Sequence, residues 1–237
     1  MNIETLMAKS GAYVFSERRR FDRNIPDRPQ LTRPTIAVSH QTGAGAPEIT
    51  AALANTPQKT EEAGRVVWEV FDQQLIAKAL QEQRWPRELA EKITEEKRFF
   101  LDEVMDDLFS LRPPSWMLMP QLIETTTNLA IRGHAILVRH GATVVTAKLP
   151  NVLHVRLTGS LAGRIDRVQR TRSLTHPEAV KYVKTADHKQ EKYLKAHFYV
   201  RMDNELLHDL AINTDRISEA DAVTVIFEAA RRFFSRL

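Results

Sequence analysis

The chain has 237 residues, 43% of them hydrophobic and 27% charged, and its 34 lysines and arginines exceed its 30 acids for a formal net charge of +4. That length suits one sizeable α/β domain or two small ones, and such a chain buries about 70% of its unfolded surface without covalent staples. Cysteine is absent, which excludes disulfides, thiolate metal sites, iron–sulfur clusters and cysteine nucleophiles. No apolar run approaches the ~20 residues of a membrane span, and the first residues lack a charged-then-apolar secretory layout, so a cytoplasmic protein without a membrane partner is expected.

Residues 1–34 read as an arm and linker, with the run Arg18-Arg19-Arg20 followed by Pro26, Pro29 and Pro34. The remainder, 35–237, reads as one domain. Thr35-Ile36-Ala37-Val38-Ser39 is a short β-branched run and predicts a buried strand. A glycine turn follows at His40-Gln41-Thr42-Gly43-Ala44-Gly45-Ala46, and Pro47 suits the first position of a helix. Further strands are predicted at 66–71, 135–138, 152–157 and 210–213, with helices at 73–80, 86–111, 116–132, 160–170 and 176–201. Ser218 predicts the cap of a last helix, with Asp221 completing a capping box. Strands alternating with helices predict a mainly parallel five-stranded sheet covered on both faces, with ligands at the carboxyl edge of the strands.

The glycine turn has two readings. Loop amides and the following helix N-terminus can cradle a phosphate. A plain tight turn would look much the same. Against the pattern G-x-x-x-x-G-K-[ST], Gly45 keeps the second glycine, while His40, Ala46 and Pro47 replace the first glycine, the lysine and the hydroxyl residue.

Several ordered segments resemble the cytidylate-kinase-like proteins, over roughly residues 34–234. Ser39, Gly43, Gly45, Glu48 and Ile49 match that family's I-x-I-S-R-x-x-G-S-G-G-x-E-I pattern, with His40 in place of its arginine. Phe71-Asp72-Gln73-Gln74-Leu75-Ile76 matches an aromatic-D-x-x-L-I segment. Ala135 to Ala142 is similar to V-I-V-G-R-G-A, with Arg139 and His140 at its glycine and arginine positions. His154-Val155-Arg156-Leu157 precedes Arg164 and Arg167, and Asp187 to Leu194 carries Gln190 where the family has arginine. Asp209 to Ser218 matches the closing D-L-x-I-N-T-D-R-[LI]-S.

The resemblance implies a three-layer α/β/α P-loop domain with a helical lid and acceptor region. It implies a nucleotide-binding phosphotransferase of the nucleoside-monophosphate-kinase, cytidylate-like type, with a degenerate P-loop. The alternative is a catalytically inactive, nucleotide-responsive binding or regulatory module. ATP and Mg²⁺ are the implied cofactors. Thr42, Gly43, Ala44 and Gly45 are the candidate phosphate binders, Glu48 the candidate metal ligand and Asp72 the acceptor-side residue. Arg139, Arg164, Lys189 and Lys192 are the candidate catalytic cations. The expected partner is a nucleotide or other phosphorylated small molecule. Nucleic acid is not expected, because no recognition motif accompanies the charge. The arm is a candidate docking segment for a protein partner or a second copy.

Overall fold

The computed structural model describes residues 31, 33–56, 68–72, 115–138, 141–201 and 203–235. The expected helices at 73–80 and 86–111, the arginine run, Arg139 and His140 lie outside these residues. Five strands form one sheet: β1 (Thr35–His40), β2 (Glu69–Asp72), β3 (Ala135–Val138), β4 (Val152–Thr158) and β5 (Leu210–Asn213). Their order is β2-β3-β1-β4-β5, and every pairing is parallel. All carboxyl ends therefore lie along one edge. β1 sits between β3 and β4, with Thr35 level with both Ala135 and Val152. In an open α/β sheet, the reversal of strand order beside the first strand is where ligands bind.

Period-2 alternation separates the two faces of the sheet. Ile36, Val38, Ile136, Leu153, Val155, Leu157 and Ile212 pack in one cluster. Helix α1 (Ala46–Asn55) covers this face with Ile49 and Leu53, and the last helix, Glu219–Phe234, adds Ala222, Ile226 and Ala230. On the opposite face, Ala37, Leu137 and Val152 meet Ala130 of α2 (Ser115–Arg132) and Ala142 of the short α3 (Ala142–Val145). This second face is the more polar one near the carboxyl edge, where Ser39, His154 and Arg156 are also buried.

Two further helices stand at the carboxyl edge. Helix α4 (Leu161–Arg172) begins at Ser160, whose side chain accepts the Gly163 N–H. Helix α5 (His176–Phe198) begins in a capping box between Thr175 and Glu178. They pack through Ile165, Val168, Ala179 and Val183. The C-terminal half of α5 leans on α2 and α3 through Leu194 and Phe198. Helix α6 (Glu219–Phe234) closes the chain, capped by Ser218, whose side chain accepts the Asp221 N–H as its capping box predicts. No helix among the described residues is long and apolar enough to cross a membrane.

Candidate nucleotide-binding site

The loop from β1 to α1 is built by alternation of backbone hand. Gly43 and Gly45 have φ of 81° and 80°, in the left-handed region, and Ala44 between them does not. Such alternation turns successive N–H groups toward one side and carbonyls toward the other. The carbonyl side is held by arginine. Arg164 Nη1 donates to Thr42 O at 3.0 Å, and its Nε donates to Gly159 O at 3.1 Å. Arg167 Nη1 donates to Gly43 O at 2.9 Å, and Nη2 reaches Thr214 O at 3.3 Å. Glu219 Oε1 lies 3.4 Å from Arg167 Nε.

The strand side of the loop is tied down as well. Gln41 N–H donates to Leu157 O, and Gln41 Oε1 accepts the Gly159 N–H at 3.1 Å. The Ala44 N–H turns back onto Gln41 O at 3.0 Å. The N–H groups of Gly43, Gly45 and Ala46 have no partner among the described residues. They belong to the N-cap Gly45, to Ala46 at the start of α1 and to Gly43 just before it, where the helix dipole adds positive potential. Pro47 has no N–H to offer, and Glu48 is exposed in the first helical turn.

Apart from Glu48 on α1 and Arg139, the sequence-predicted residues fall into three groups. Thr42, Gly43, Ala44, Gly45 and Arg164 meet at the loop. The Arg164 side chain is only 6% exposed and is spent on two carbonyls and on Asp187, whose Oδ2 accepts from Nη1 at 2.6 Å. Lys189 and Lys192 are exposed on α5. Asp72 ends β2, two strands from β1, a lateral step of roughly 10 Å along the edge. Arg139 lies outside the described residues.

Asp187 and Gln190 were not among the predicted site residues. Asp187 Oδ1 accepts the Thr42 N–H at 3.0 Å, and Gln190 Nε2 donates to His40 O at 3.0 Å. A signal for them exists in the sequence. On α5 the buried Ala179, Val183, Leu194 and Phe198 make an apolar stripe, and Gln190 is a buried polar residue within it. Asp187 stands one turn from both Val183 and Gln190. Polar side chains inside an apolar stripe mark a face that docks onto backbone rather than onto core.

The closing segment braces the same region. Thr214 N–H and Oγ1 both donate to Thr158 O. Asp215 Oδ2 accepts the Ser160 N–H at 2.6 Å, and hydrogen bonds from Ser160 hold its carboxyl below the usual range. Asp209 Oδ2 accepts the His154 N–H at 2.8 Å and lies 3.2 Å from His154 Nδ1.

A family model, the cytidylate kinase-like family, matches residues 35–216, from the first residue of β1 to just beyond β5. The chain belongs to the cytidylate kinase-like family. Its sheet order, its loop and the brace from its closing segment all fall within that match. No curated protein sequence matches this family member. Among solved structures it is similar to an uncharacterized protein from Eubacterium ventriosum, with a TM-score of 0.60, 13% identity and coverage of 84% of this chain and 99% of that one. TT1252 from Thermus thermophilus gives a TM-score of 0.47 at 14% identity, over 84% of this chain and 97% of that one. Shikimate kinase from Bacteroides thetaiotaomicron gives 0.46 at 14% identity, over 84% and 98%. The family match and the all-parallel five-stranded sheet with its helices make this a kinase-like α/β domain.

Beside the loop, the second sheet face carries histidines held neutral. Ser39 Oγ and His208 Nε2 are 2.8 Å apart. Burial, and after it the positive charges of Arg156 and His154, push the His208 ring down to about 4. Burial also lowers His40 and His154. The unfolded chain takes up these protons near 6.5 while the folded chain refuses them, so stability is full above that value and falls as pH drops toward 4. His208 alone is expected to cost about 1 kcal/mol at pH 5, discounted for its partial exposure. Urea midpoints at pH 7 and pH 5 measure it; equal midpoints would show that the rings protonate freely in the folded chain.

Proposed function

We propose that this chain binds a nucleoside triphosphate on the 42–46 loop and transfers its terminal phosphoryl group to a nucleoside monophosphate or a similar small acceptor. The observation that carries the reading is the division of the loop. Its Thr42 and Gly43 carbonyls are gripped by Arg164 and Arg167, while the N–H groups of Gly43, Gly45 and Ala46, beside the helix N-terminus, have no partner among the described residues. Unpaired, prealigned donors beside a helix N-terminus are an anion site in need of an anion. Phosphoryl transfer is mostly positioning and charge neutralisation, so such a cradle performs a main part of the work.

The residues present fit ATP through these amides. They fit Mg²⁺ through oxygen, with Glu48 in the first turn of α1 and Asp72 at the end of β2 as the carboxylates on offer. The metal would neutralise phosphate charge that a lysine at position 46 ordinarily meets and that Ala46 leaves. On this reading Asp72 serves the acceptor, and Arg139, Lys189 and Lys192 serve the transferring group. The domain performing this would be residues 35–237, with 1–34 as a docking arm, and the cytoplasm is the compartment that fits.

A second reading is favoured by one specific feature. Ala46 and Pro47 supply neither the cation nor the hydroxyl that the phosphate loop ordinarily carries. A module that binds nucleotide and changes its α5 contacts without turnover would tolerate that loss. Calorimetric titration with a non-hydrolysable ATP analogue, with and without Mg²⁺, tests what the two readings share. Micromolar binding that needs Mg²⁺ is expected, and no binding under either condition would sink both. Transfer from ATP to a panel of monophosphates then separates them, since turnover removes the second reading and its absence removes the first.

A further inference from the structure

The Thr42 peptide is clamped from both sides by the chain itself. Its N–H donates to Asp187 Oδ1 at 3.0 Å, and its carbonyl accepts from Arg164 Nη1 at 3.0 Å. The same Nη1 donates to Asp187 Oδ2 at 2.6 Å. Gln190, one turn further along α5, holds the carbonyl of His40. A carboxylate thus already sits on one loop amide, in the role a phosphate oxygen would fill.

Its position along the loop matters. A phosphate seated on the N-terminus of α1 takes the N–H groups nearest the helix, those of Ala46 and Gly45. The next phosphate outward meets Gly43, and the N–H after that, on the strand side, is Thr42. A two-phosphate chain can use the three partnerless amides and leave Asp187 in place. A third phosphate reaches the donor that Asp187 holds. Two anions competing for one donor repel, and each disfavours the other's charged form. The loop position that ordinarily supplies a lysine against such repulsion holds Ala46. The guanidinium that meets Asp187 directly, that of Arg164, is already shared with the Thr42 carbonyl, and the Arg156 charge also acts on Asp187.

We propose that Asp187 makes this loop select by phosphate-chain length: a diphosphate seats with α5 docked, and a triphosphate seats only when Asp187 leaves Thr42. The docked form is then the diphosphate-bound or resting state. Asp187 is a specificity-determining residue in it, and release of α5 accompanies entry of a triphosphate. This rests on the phosphate-loop reading of residues 42–46.

The test is calorimetry on the full chain with Mg²⁺, using ADP against a non-hydrolysable ATP analogue and pyrophosphate against tripolyphosphate as a base-free pair. The wild type is expected to bind the shorter member of each pair at least tenfold more tightly. Asp187→Asn keeps an oxygen acceptor for the Thr42 N–H and removes the charge. It is expected to tighten the longer member at least fivefold while moving the shorter one less than twofold. A purely structural role would shift both members together, so an unchanged ratio in D187N overturns the proposal, as does a wild type without preference. If D187N does not melt cooperatively, Asp187→Ser carries the same comparison. Binding of neither member by either protein is a different failure: it removes the phosphate-loop reading itself, and the selectivity with it.

Discussion

Gly43→Ala is expected to cost about 3–5 kcal/mol of folding stability, against about 1–2 for Gly45→Ala, although the two glycines share nearly the same φ. The difference lies in what a methyl group meets. At Gly43 an added Cβ would stand 2.5 Å from the Arg164 carbonyl oxygen and 2.9 Å from Val168 Cγ2. The first is helix backbone and cannot swing aside, so the loop or α4 must shift. At Gly45 the nearest atoms are Arg167 Nε and a Glu219 oxygen, both at 3.5 Å, which is ordinary contact. Only the left-handed backbone penalty of about 1–2 kcal/mol remains there. Urea unfolding of both variants measures the gap. Equal losses would mean that the loop does not press on α4 as described. The Gly43 variant is also expected to lose nucleotide binding, because the shift needed to relieve the clash carries the Thr42 and Gly43 peptides with it.

The second large effect belongs to Arg164. Arg164→Ala is expected to cost about 3 kcal/mol, below the upper range for breaking a buried ion pair because Asp187 is 29% exposed and water can take over its charge. Three acceptors lose their donor at once: the Thr42 and Gly159 carbonyls and the Asp187 carboxylate. Asp187→Asn on the Arg164→Ala background is expected to cost less than on the wild type, by about 1 kcal/mol or more, since the pair couples. Strict additivity in that double-mutant cycle would show that the two side chains contribute independently.

Much of the architecture was legible because it rests on local rules. The β-branched run at 35–39 became β1 at 35–40, and the runs at 135–138 and 210–213 became strands over the residues expected. Ser160 and Ser218 announce their helices through N-caps, a signal confined to four residues. The short α3 and the 3₁₀ turn at Glu205–Leu207 were not anticipated. A single turn has too few residues to show a period, and Gly141 and Asn204 resemble ordinary loop punctuation.

The site divides in the same way. The glycine turn is visible in sequence because its backbone requires glycine. Which faces of Arg164 and Arg167 are used is not visible, because their acceptors are carbonyls 122 and 124 residues away. Spacing on a helix cannot distinguish an arginine that meets phosphate from one that holds the back of the loop. Asp187 escaped for a related reason. Its partner is a backbone N–H 145 residues distant, and backbone atoms leave no trace in residue identity.

The position of β1 in the sheet also bears on how the molecule comes to be. The first of the described strands is the central one, yet its two neighbours start 100 or more residues later, at Ala135 and Val152. The loop that follows it borrows its braces from still further along, from Arg164, Arg167, Asp187 and, through Arg167, from Thr214 and Glu219. Contacts of such long sequence separation form slowly, because loop closure must precede any gain from them. An emerging chain therefore carries the 42–46 loop without its braces until the segment around Thr214 and Glu219 is made. On the phosphate-loop reading proposed above, the capacity to hold a ligand is acquired in one late step rather than assembled piecemeal, and a ligand present during synthesis would find nothing to hold before that step.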